Sequence, residues 1–335
     1  MSISDEVTFQ CGSASKTSNL AYSLAMSLYR PGVTILLSGE LGAGKTTFTQ
    51  GLARGLGLTE TVTSPSYALE QRYGDGKLTH IDLYRLSGKQ AEEFLRSQEE
   101  TTGVRVIEWP ERATLPDAGM LIRIDEAGSG RNIHITCNDI RIPTDAEIEA
   151  WIQEVKLPKH IVRHMHTVAD AASKVANDLQ KQGRFIRPNA LRAAALTHDL
   201  LRFTDFRSLT GDEHYTPTPE ESAVWQKLKD QYGTPHEGAA SRWLSEHGYP
   251  EIGVIVAAHR GLSTDGKKLA VTIEEMALAY ADKRAAFDRP VTLDERFNDF
   301  LKRYGDGKTE SPYAKAWRDE MKRIERELFP DGAPF

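Results

Sequence analysis

The sequence is poor in cysteine and has no long apolar run. Its 335 residues include two cysteines, Cys11 and Cys137, whose spacing fits neither a disulfide framework nor a cysteine-rich zinc site. No apolar stretch approaches the roughly 18–20 residues that a membrane-spanning helix needs, which argues against an integral membrane protein. The segment MSISDEVTF has neither the basic region nor the apolar core of a signal peptide. We therefore expect a cytoplasmic protein.

An excess of positive charge is also missing. The formal net charge is -6, and neither half of the chain is basic. Duplex nucleic acids bind proteins largely through counterions released by lysine and arginine, so we expect no direct duplex binding. Hydrophobic residues make up 39% and charged residues 27%, which is an ordinary globular composition, and the length predicts two domains.

The first half of the chain alternates between strand-like and helix-like stretches. Leu20, Leu24 and Leu28 recur at helical spacing, and a Gly-rich turn with a helix follows the first apolar strand. The strand-like stretches are at 33–37, 78–83, 104–107, 120–124 and 133–136. This alternation predicts an α/β domain over residues 1–142 with a mostly parallel sheet.

The second half of the chain predicts helices only. Residues 143–157 are predicted to form a linker with one short helix, because Thr144 and Glu147 fit a capping box. Beyond it, residues 158–335 carry apolar stripes at helical spacing, the first running from Ile161 to Leu179. Further helices are predicted at about 189–201, 220–231, 236–247, 250–260, 272–288 and 312–328.

The Gly-rich turn carries a nucleotide-binding motif. Residues 39–46 fit G-x-x-x-x-G-K-[ST] and lie between a predicted strand and a predicted helix, which is the context the motif requires. The backbone N–H groups and the helix N-terminus suit phosphate, Lys45 suits the β and γ oxygens, and the Thr46 hydroxyl suits Mg²⁺. The sequence therefore predicts ATP or GTP binding by Gly39, Glu40, Leu41, Gly42, Ala43, Gly44, Lys45, Thr46 and Thr47.

Three further motifs follow this loop along the chain. They are Ser64-Pro-Ser-Tyr67, His80-Ile-Asp-Leu-Tyr-Arg85 and Ile107-Glu-Trp-Pro-Glu111. Together with the loop, they resemble the TsaE family over about residues 8–140. The resemblance implies a small P-loop ATPase of bacterial threonylcarbamoyladenosine tRNA modification that uses ATP and Mg²⁺. It also implies TsaD and TsaB as partners, and an ATP cycle that resets the transferase complex.

The resemblance to TsaE assigns roles to individual residues. Thr46 and Glu108 are the implied Mg²⁺ ligands, and Asp82 is the implied acid that positions the metal or the attacking water. Together with Lys45, these groups provide the positioning and charge neutralisation that phosphoryl transfer needs. Trp109 is the implied aromatic neighbour of ATP, and residues 64–67 are the implied nucleotide-sensing switch. Ser66 stands where the family usually has threonine, and residues 87–103 fit the family weakly.

Most of the chain's 10 histidines lie in the second half. His164 falls on the apolar face of its predicted helix, whereas His166 falls about 200° further round, toward solvent. His198, His259 and Asp282 also continue apolar stripes. Each alone is more often a core or capping residue, but inward-facing histidine and aspartate on several helices together predict a metal site.

These residues resemble the HD-domain phosphohydrolase family over about residues 158–300. The resemblance implies a catalytic His198–Asp199 pair, with Asp199 bridging two ions. Spacing leaves His247 as an alternative to His236, and the resemblance favours His236 because it lies in a His-Glu-Gly-Ala segment. Mixed imidazole and carboxylate ligands suit one or two divalent Fe, Mn, Co, Ni or Zn ions. The implied ligands are His164, His198, Asp199, His236, His259 and Asp282.

The two resemblances lead to one hypothesis and one alternative. The hypothesis is a bifunctional protein of threonylcarbamoyladenosine metabolism that hydrolyses ATP in its first half and a nucleotide phosphoester or anhydride in its second. Threonylcarbamoyl-AMP, cleaved to AMP, is one candidate substrate beside nucleoside monophosphates, dinucleoside polyphosphates and cyclic dinucleotides. Lys283, Arg202 and Arg260 are candidate phosphate contacts. In the alternative, the second half is a metal-stabilised docking or regulatory module without turnover, beside an assembly ATPase.

Overall fold

The structure is a computed structural model that describes residues 3–30, 32–98, 102–116, 119–206, 215–286, 289–304 and 310–333. The chain divides into two compact units. The sheet unit comprises Ser4–Ile140 and Gln180–Arg187, and the helical unit comprises Met1–Ile3, Arg141–Leu179 and Pro188–Phe335. Among the described helices, none is both long enough and apolar enough to cross a bilayer.

The sheet unit contains seven strands and three helices in its described residues. In chain order, these elements are β1 (Ile3–Cys11), α1 (Ala14–Ala25), β2 (Thr34–Ser38), α2 (Lys45–Gly55), β3 (Glu70–Tyr73), β4 (Leu78–Asp82), α3 (Gly88–Ser97), β5 (Val104–Glu108), β6 (Gly119–Ala127) and β7 (Gly130–Ile142).

The sheet has the strand order β1-β7-β6-β2-β5-β4-β3. Its four central strands run parallel, with β2 pairing β5 and β6 and with β4 pairing β5. Strands β3 and β7 pair antiparallel with β4 and β6. The predicted α/β fold with a mostly parallel sheet is therefore confirmed.

Both faces of strand β2 are buried in the middle of the strand. In β2, Ile35 and Leu37 enter a large apolar cluster that also contains Leu20 of α1 and Phe48 of α2. Leu36, between them, faces a smaller cluster on the other side of the sheet. Since side chains alternate across a strand, a strand buried on both faces reads as an unbroken apolar run, which is the pattern that predicted β2.

Three elements of the sheet unit were not predicted. Strand β1 reads DEVTFQC and alternates polar with apolar residues, and β3 reads EQRY and has one buried residue, Tyr73. Helix α3 buries only Ala91. Strand β3 and helix α3 bury one residue each, so their sequences carry little apolar periodicity. Strand β1 was missed although its alternation is the pattern of a strand with one buried face.

The helical unit contains nine helices and a two-stranded ribbon among its described residues. They are α4 (Asp145–Glu154), α5 (Lys159–Lys181), α6 (Pro188–Ala195), α7 (Pro219–Tyr232), α8 (His236–Glu246), α9 (Pro250–Ala257), α10 (Ile273–Lys283), β8 (Ala285–Ala286), β9 (Arg289–Pro290), α11 (Leu293–Tyr304) and α12 (Pro312–Leu328).

The predicted helical second half is confirmed, with differences at three helix ends and one additional helix. The helices predicted over 189–201 and 250–260 end earlier, at Ala195 and Ala257. The helix predicted over 272–288 ends at Lys283, because Arg284 turns into β8 and donates from its Nε atom to the Val291 carbonyl at 2.6 Å. Helix α11 was not predicted, although it is amphipathic. The capping box that predicted the linker helix is present in α4, where Thr144 and Glu147 cap each other.

A segment from beyond the linker completes the sheet unit. Residues 180–187 belong to it, and Phe185 and Arg187 are fully buried there. The Arg187 guanidinium donates to Asp139 Oδ2 at 2.7 Å and to the Ser27 carbonyl at 2.6 Å. A buried carboxylate without a cation is strongly unfavourable, so Arg187 stabilises the fold by compensating the charge of Asp139.

We expect Arg187→Ala to destabilise the sheet unit by about 3–5 kcal/mol, since it leaves the Asp139 carboxylate buried without its cation. Urea unfolding of the full chain measures this. The control is Arg54→Ala, which removes an exposed arginine that donates to Asn19 Oδ1 at 2.8 Å and lies over the Tyr22 ring. Replacing both partners, as Asp139→Leu with Arg187→Met, should recover most of the loss. Equal, small effects of the two arginine variants would contradict the assignment.

Candidate functional site

The nucleotide-binding motif lies at the edge of the sheet where three neighbouring parallel strands end. Strand β2 leads into the loop of residues 39–44, and α2 begins at Lys45. Asp82 ends β4 opposite Glu108, and Glu108 ends β5 opposite Leu37. The parallel register therefore brings both predicted acidic residues to the loop.

Glycine is required at two positions of the loop. Gly39 has φ +143°, and a Cβ atom there would lie 2.5 Å from the Ile124 carbonyl oxygen. Gly44 has φ +108° and is the residue from which α2 starts. In loops of this kind, the backbone N–H groups and the helix N-terminus bind phosphate.

The Lys45 ammonium is buried within this loop. Its Nζ atom donates to the carbonyls of Gly39 at 2.7 Å and Glu40 at 3.1 Å, and it lies 4.1 Å from the Trp109 ring centroid. Burial lowers the pKa of Lys45, and the nearby Glu108 and Asp82 carboxylates oppose that shift. The structure thus brings Lys45, both acids and Trp109 together, as the sequence predicted.

The Asp82 carboxylate holds the predicted switch segment. Its Oδ2 atom accepts from the Ser66 hydroxyl at 2.6 Å and from the Ser64 hydroxyl at 3.3 Å, and its Oδ1 atom accepts from the Tyr84 N–H at 2.9 Å. Ser66 therefore makes the contact with its hydroxyl group. Tyr67, in the same segment, is 87% exposed.

Two polar residues at this site were not given roles from the sequence. His80 is fully buried, and its Nε2 atom lies 2.9 Å from Glu108 Oε1. Arg131 of β7 donates to the Ala43 carbonyl at 2.8 Å and the Gly42 carbonyl at 3.3 Å. His80 shares a strand face with Asp82, a signal the sequence offered; Arg131 is 88 residues from Ala43, and no local pattern indicates it.

The helical unit brings all six predicted metal ligands into one cluster. They come from α5, the turn after α6, the start of α8, the turn after α9 and the end of α10. Groups of three among them have potential ligand atoms within 4.8 Å of one another. We call this the six-residue cluster: His164, His198, Asp199, His236, His259 and Asp282.

The two aspartates lie between the imidazoles. His236 Nε2 is 2.9 Å from Asp199 Oδ1, and His164 Nε2 is 3.1 Å from Asp282 Oδ1. His198 Nε2 lies 3.7 Å from Asp199 Oδ2 and 3.8 Å from Asp282 Oδ1. Each carboxylate therefore faces two histidine nitrogens, an arrangement in which a carboxylate oxygen and imidazole nitrogens can share a cation.

The Nδ1 atoms of His198 and His259 bond backbone carbonyls, and His259 Nε2 lies 3.4 Å from His236 Nε2. Nδ1 of His198 bonds the Ala195 carbonyl at 2.8 Å, and Nδ1 of His259 bonds the Val256 carbonyl at 2.7 Å. A carbonyl accepts, so each Nδ1 carries the proton and each Nε2 carries a lone pair. His198 Nε2 is buried without a hydrogen-bond partner among the described residues. Such a buried, unpartnered nitrogen facing two carboxylates fits a metal ligand.

Burial and the neighbouring charges shift the pKa values in the cluster. Burial lowers the pKa of His198, and it holds the pKa of His259 well below its usual range, so both imidazoles are neutral. Burial alone would raise the pKa of Asp199, but His198 and His236 hold it well below its usual value. His236 differs: burial alone would lower its pKa, but the Asp199 and Asp205 carboxylates raise the pKa to about 9, so metal binding at this imidazole has to displace a proton. Metals bind neutral imidazoles and ionised carboxylates.

The other candidate residues lie around the cluster. Lys283 is buried and pairs with Asp282 Oδ2. Arg202 Nη1 lies 3.0 Å from His236 Nδ1, and Arg260 lines a cavity of about 460 Å³ together with Lys229 and others. The rejected alternative, His247, bonds the Trp243 carbonyl and stacks on Trp243 at 4.2 Å, outside the cluster.

One residue beside the cluster was missed. Asp205 ends the short 3-10 helix Arg202–Asp205, and its Oδ2 atom lies 2.6 Å from His236 Nδ1. Its Oδ1 atom accepts from the His236 backbone N–H at 3.0 Å. Nothing in the local sequence pairs Asp205 with a residue 31 positions away.

Comparison with solved structures finds two kinds of neighbour. Bacillus subtilis YdiB is 32% identical, with 41% of this chain and 89% of that chain covered and a TM-score of 0.34. The HD domain of L. monocytogenes phosphodiesterase PgpH is 15% identical, with 56% of this chain and 100% of that chain covered and a TM-score of 0.29.

Comparison with sequences gives a clearer result. The family model of the threonylcarbamoyl adenosine biosynthesis protein TsaE matches residues 11–133. The TsaE proteins of Haemophilus influenzae and Streptomyces coelicolor are 40% and 43% identical over 109 and 108 residues, which is 69% and 73% of their lengths. The matches cover 31% and 30% of this chain. The Synechocystis TsaE is 43% identical over 88 residues, 24% of this chain, and the chain spans 56% of its length. The chain belongs to the TsaE family.

Proposed function

We propose that the protein has two active sites. The sheet unit binds and hydrolyses ATP in tRNA threonylcarbamoyladenosine biosynthesis, and the helical unit hydrolyses a phosphoester or anhydride of a nucleotide with bound metal ions. The observation that carries the second activity is the six-residue cluster, in which unprotonated imidazole nitrogens and two ionised carboxylates converge in the protein interior.

The donor atoms in the sheet unit support ATP hydrolysis. Phosphate oxygens would replace the two loop carbonyls as acceptors for Lys45, which is already desolvated. The Thr46 hydroxyl and the carboxylates of Glu108 and Asp82 are hard oxygen ligands, which suit Mg²⁺. Bound Mg²⁺ supplies charge neutralisation on the phosphates. By family, TsaD and TsaB are the proposed partners, and a cytoplasmic location is part of the proposal.

The contacts of Asp82 support a link between nucleotide and the switch segment. The same carboxylate that faces the loop accepts hydrogen bonds from Ser64 and Ser66. Any ligand that draws an Asp82 oxygen toward itself competes with these hydroxyls. Residues 64–67 would therefore change their contacts when ATP and Mg²⁺ bind, as the role of a nucleotide sensor requires.

The arrangement of the cluster supports two ions rather than one. Asp199, His236 and His259 form one set of converging ligands, and His164, His198 and Asp199 form another. A third set, His198, His259 and Asp282, shares a histidine with each. Asp199 belongs to the first two sets, so one oxygen can face each ion, and Asp282 completes the cluster. Metal ions in such a site act as Lewis acids toward phosphate oxygens and as activators of water.

The cavity lined by Asp205 and Arg260 favours an anionic nucleotide substrate. Lys283 neutralises Asp282 and is therefore a poor phosphate ligand. Arg260 donates from its Nε atom to the Tyr313 hydroxyl at 3.0 Å, which holds its guanidinium at the cavity. A cavity of about 460 Å³ with Arg260 and Lys229 in its wall fits a phosphate-bearing molecule. Threonylcarbamoyl-AMP, cleaved to AMP, is the candidate that would link the two activities.

We expect Lys45→Ala to weaken ATP binding about 100-fold or more, because charged hydrogen bonds contribute about 1.5–3 kcal/mol each and Lys45 serves several phosphate oxygens. Calorimetric titration of the full chain with ATP and Mg²⁺ measures this. Lys77→Ala, which removes an exposed lysine, is the control. An unchanged affinity for ATP in the Lys45 variant would contradict the proposal that residues 39–46 bind the nucleotide.

We expect Asp82→Asn and Glu108→Gln to slow ATP hydrolysis by about 10²–10³-fold and to weaken ATP binding by less. The reason is that these carboxylates position the metal and water, whereas the loop backbone and Lys45 hold the phosphates. Steady-state hydrolysis and ATP titration are compared for each variant. Glu92→Gln, in a surface ion pair with Arg96, is the control. Normal turnover in both variants would show that the acids play no part in the reaction.

We expect the full chain, purified under anaerobic and reducing conditions, to contain transition metal, and the double variant His198→Ala with Asp199→Ala to lose it. ATP binding should be unchanged, since the two sites use different residues and different ligand types. Elemental analysis measures the metal, and His166→Ala, an exposed histidine on α5, is the control.

A set of phosphoesters and anhydrides, including threonylcarbamoyl-AMP, should then contain a substrate that the wild type cleaves and the double variant does not. If the wild type carries no metal and cleaves none of these compounds with added Mn²⁺, Fe²⁺, Co²⁺ or Ni²⁺, the proposal that the helical unit is a hydrolase is wrong. The helical unit would then be better explained as a docking or regulatory module beside an assembly ATPase.

A further inference from the structure

The histidines of the six-residue cluster differ in what their Nδ1 atoms contact. His198 and His259 bond backbone carbonyls of their own preceding turn, Ala195 and Val256. His236 instead faces a carboxylate, with Asp205 Oδ2 at 2.6 Å. Asp205 is not in the six-residue cluster, and its side chain is 29% exposed.

Both carboxylate oxygens of Asp205 contact His236. One oxygen faces the ring nitrogen, and the other accepts from the His236 backbone N–H at 3.0 Å. His236 is the first residue of α8, where backbone N–H groups lack helical partners. The same side chain therefore fixes both the start of the helix and the orientation of the ring, which leaves His236 Nε2 directed at Asp199 Oδ1, 2.9 Å away.

Two other groups approach the same nitrogen. Arg202 Nη1 lies 3.0 Å from His236 Nδ1, and Glu237 Oε2 lies 3.3 Å from it. Glu237 Oε2 has no hydrogen bond among the described residues. Arginine can only donate, so a bond from Arg202 would require an unprotonated Nδ1 and a protonated Nε2, which cannot bind a metal. Asp205 requires the opposite tautomer, and its oxygen is the nearer atom.

We propose that Asp205 is a positioning residue that fixes the metal-binding tautomer of His236 and thereby holds the second of two metal ions. The inference rests on the proposed function, because it requires that the cluster binds metal. The ligand set affected is Asp199, His236 and His259; the set His164, His198 and Asp199 does not include the imidazole that Asp205 orients. A carboxylate behind a ligating histidine typically improves metal affinity about 10–100-fold.

The test is Asp205→Asn, which keeps the size and planarity of the side chain. Its amide oxygen can still accept from the His236 backbone N–H, but its NH₂ group then faces Nδ1 and favours the wrong tautomer. Metal-free full chain is titrated with Mn²⁺ in a calorimeter. We expect the wild type to bind two ions, and we expect the variant to bind the first ion normally and the second about 10–100-fold more weakly.

Two further variants make the result specific. His236→Ala should lose the second ion. Arg202 Nη1 also lies 3.4 Å from Asp205 Oδ2, so Arg202→Gln removes both this ion pair and the competing donor. It should keep both ions, because the two contacts between Asp205 and His236 remain. A general loss of stability would weaken both ions together, so the selective loss of one separates positioning from folding.

The outcomes distinguish this inference from the proposed function. A wild type that binds no metal overturns both. A wild type that binds one ion, or an Asp205→Asn variant that binds two ions with wild-type affinities, overturns the role of Asp205 and leaves metal binding standing. Loss of the second ion in Arg202→Gln, with its retention in Asp205→Asn, would assign the positioning role to Arg202 instead.

Discussion

Charge buried without water has to be compensated inside the protein, and this constraint shapes each polar site of the structure. Removing an ion from water costs several kcal/mol unless a partner of opposite charge and further hydrogen bonds replace the lost solvation. Asp199 and Asp282 meet the constraint by lying among imidazoles and beside Lys283. Lys45 meets it with two loop carbonyls, a tryptophan ring and two acids.

The same constraint explains why the six-residue cluster favours metal over a structural role. Structural ion pairs use one cation for each anion, whereas His198 and His259 are neutral and bring lone pairs rather than positive charge. Asp282 is paired with Lys283, and Asp199 faces His236, whose pKa its carboxylate neighbours raise to about 9 against the effect of burial. Neither of these pairings uses the buried Nε2 lone pairs of His198 and His259. Divalent ions bind such lone pairs, and the Nδ1 bonds of the two histidines to backbone carbonyls have already set the tautomers that such ions need.

The sequence identified candidate site residues where they lie in short contiguous motifs or on one face of a predicted helix. The glycine spacing of residues 39–46 predicts the nucleotide-binding loop, and helical periodicity predicts that residues such as His164 face inward. It failed for groups whose partners are distant along the chain. Arg131 reaches a carbonyl 88 residues away, and Asp205 reaches His236 31 residues away. Elements with few buried residues, such as β3 and α3, were also not predicted, because apolar periodicity reflects burial and each of these segments buries one residue.

The buried pair Asp139–Arg187 shows a further limit of reading the chain as successive segments. The match to the TsaE family ends at residue 133, and the strand β7 that carries Asp139 continues past it. The cation that neutralises Asp139 lies 48 residues further along, after helix α5. The family fold in this protein therefore depends on a segment from outside the family region. Phe185 joins the apolar cluster of the sheet, and Arg187 compensates the buried Asp139 carboxylate. A truncation in the linker would therefore remove part of the core of the sheet unit together with the helical unit.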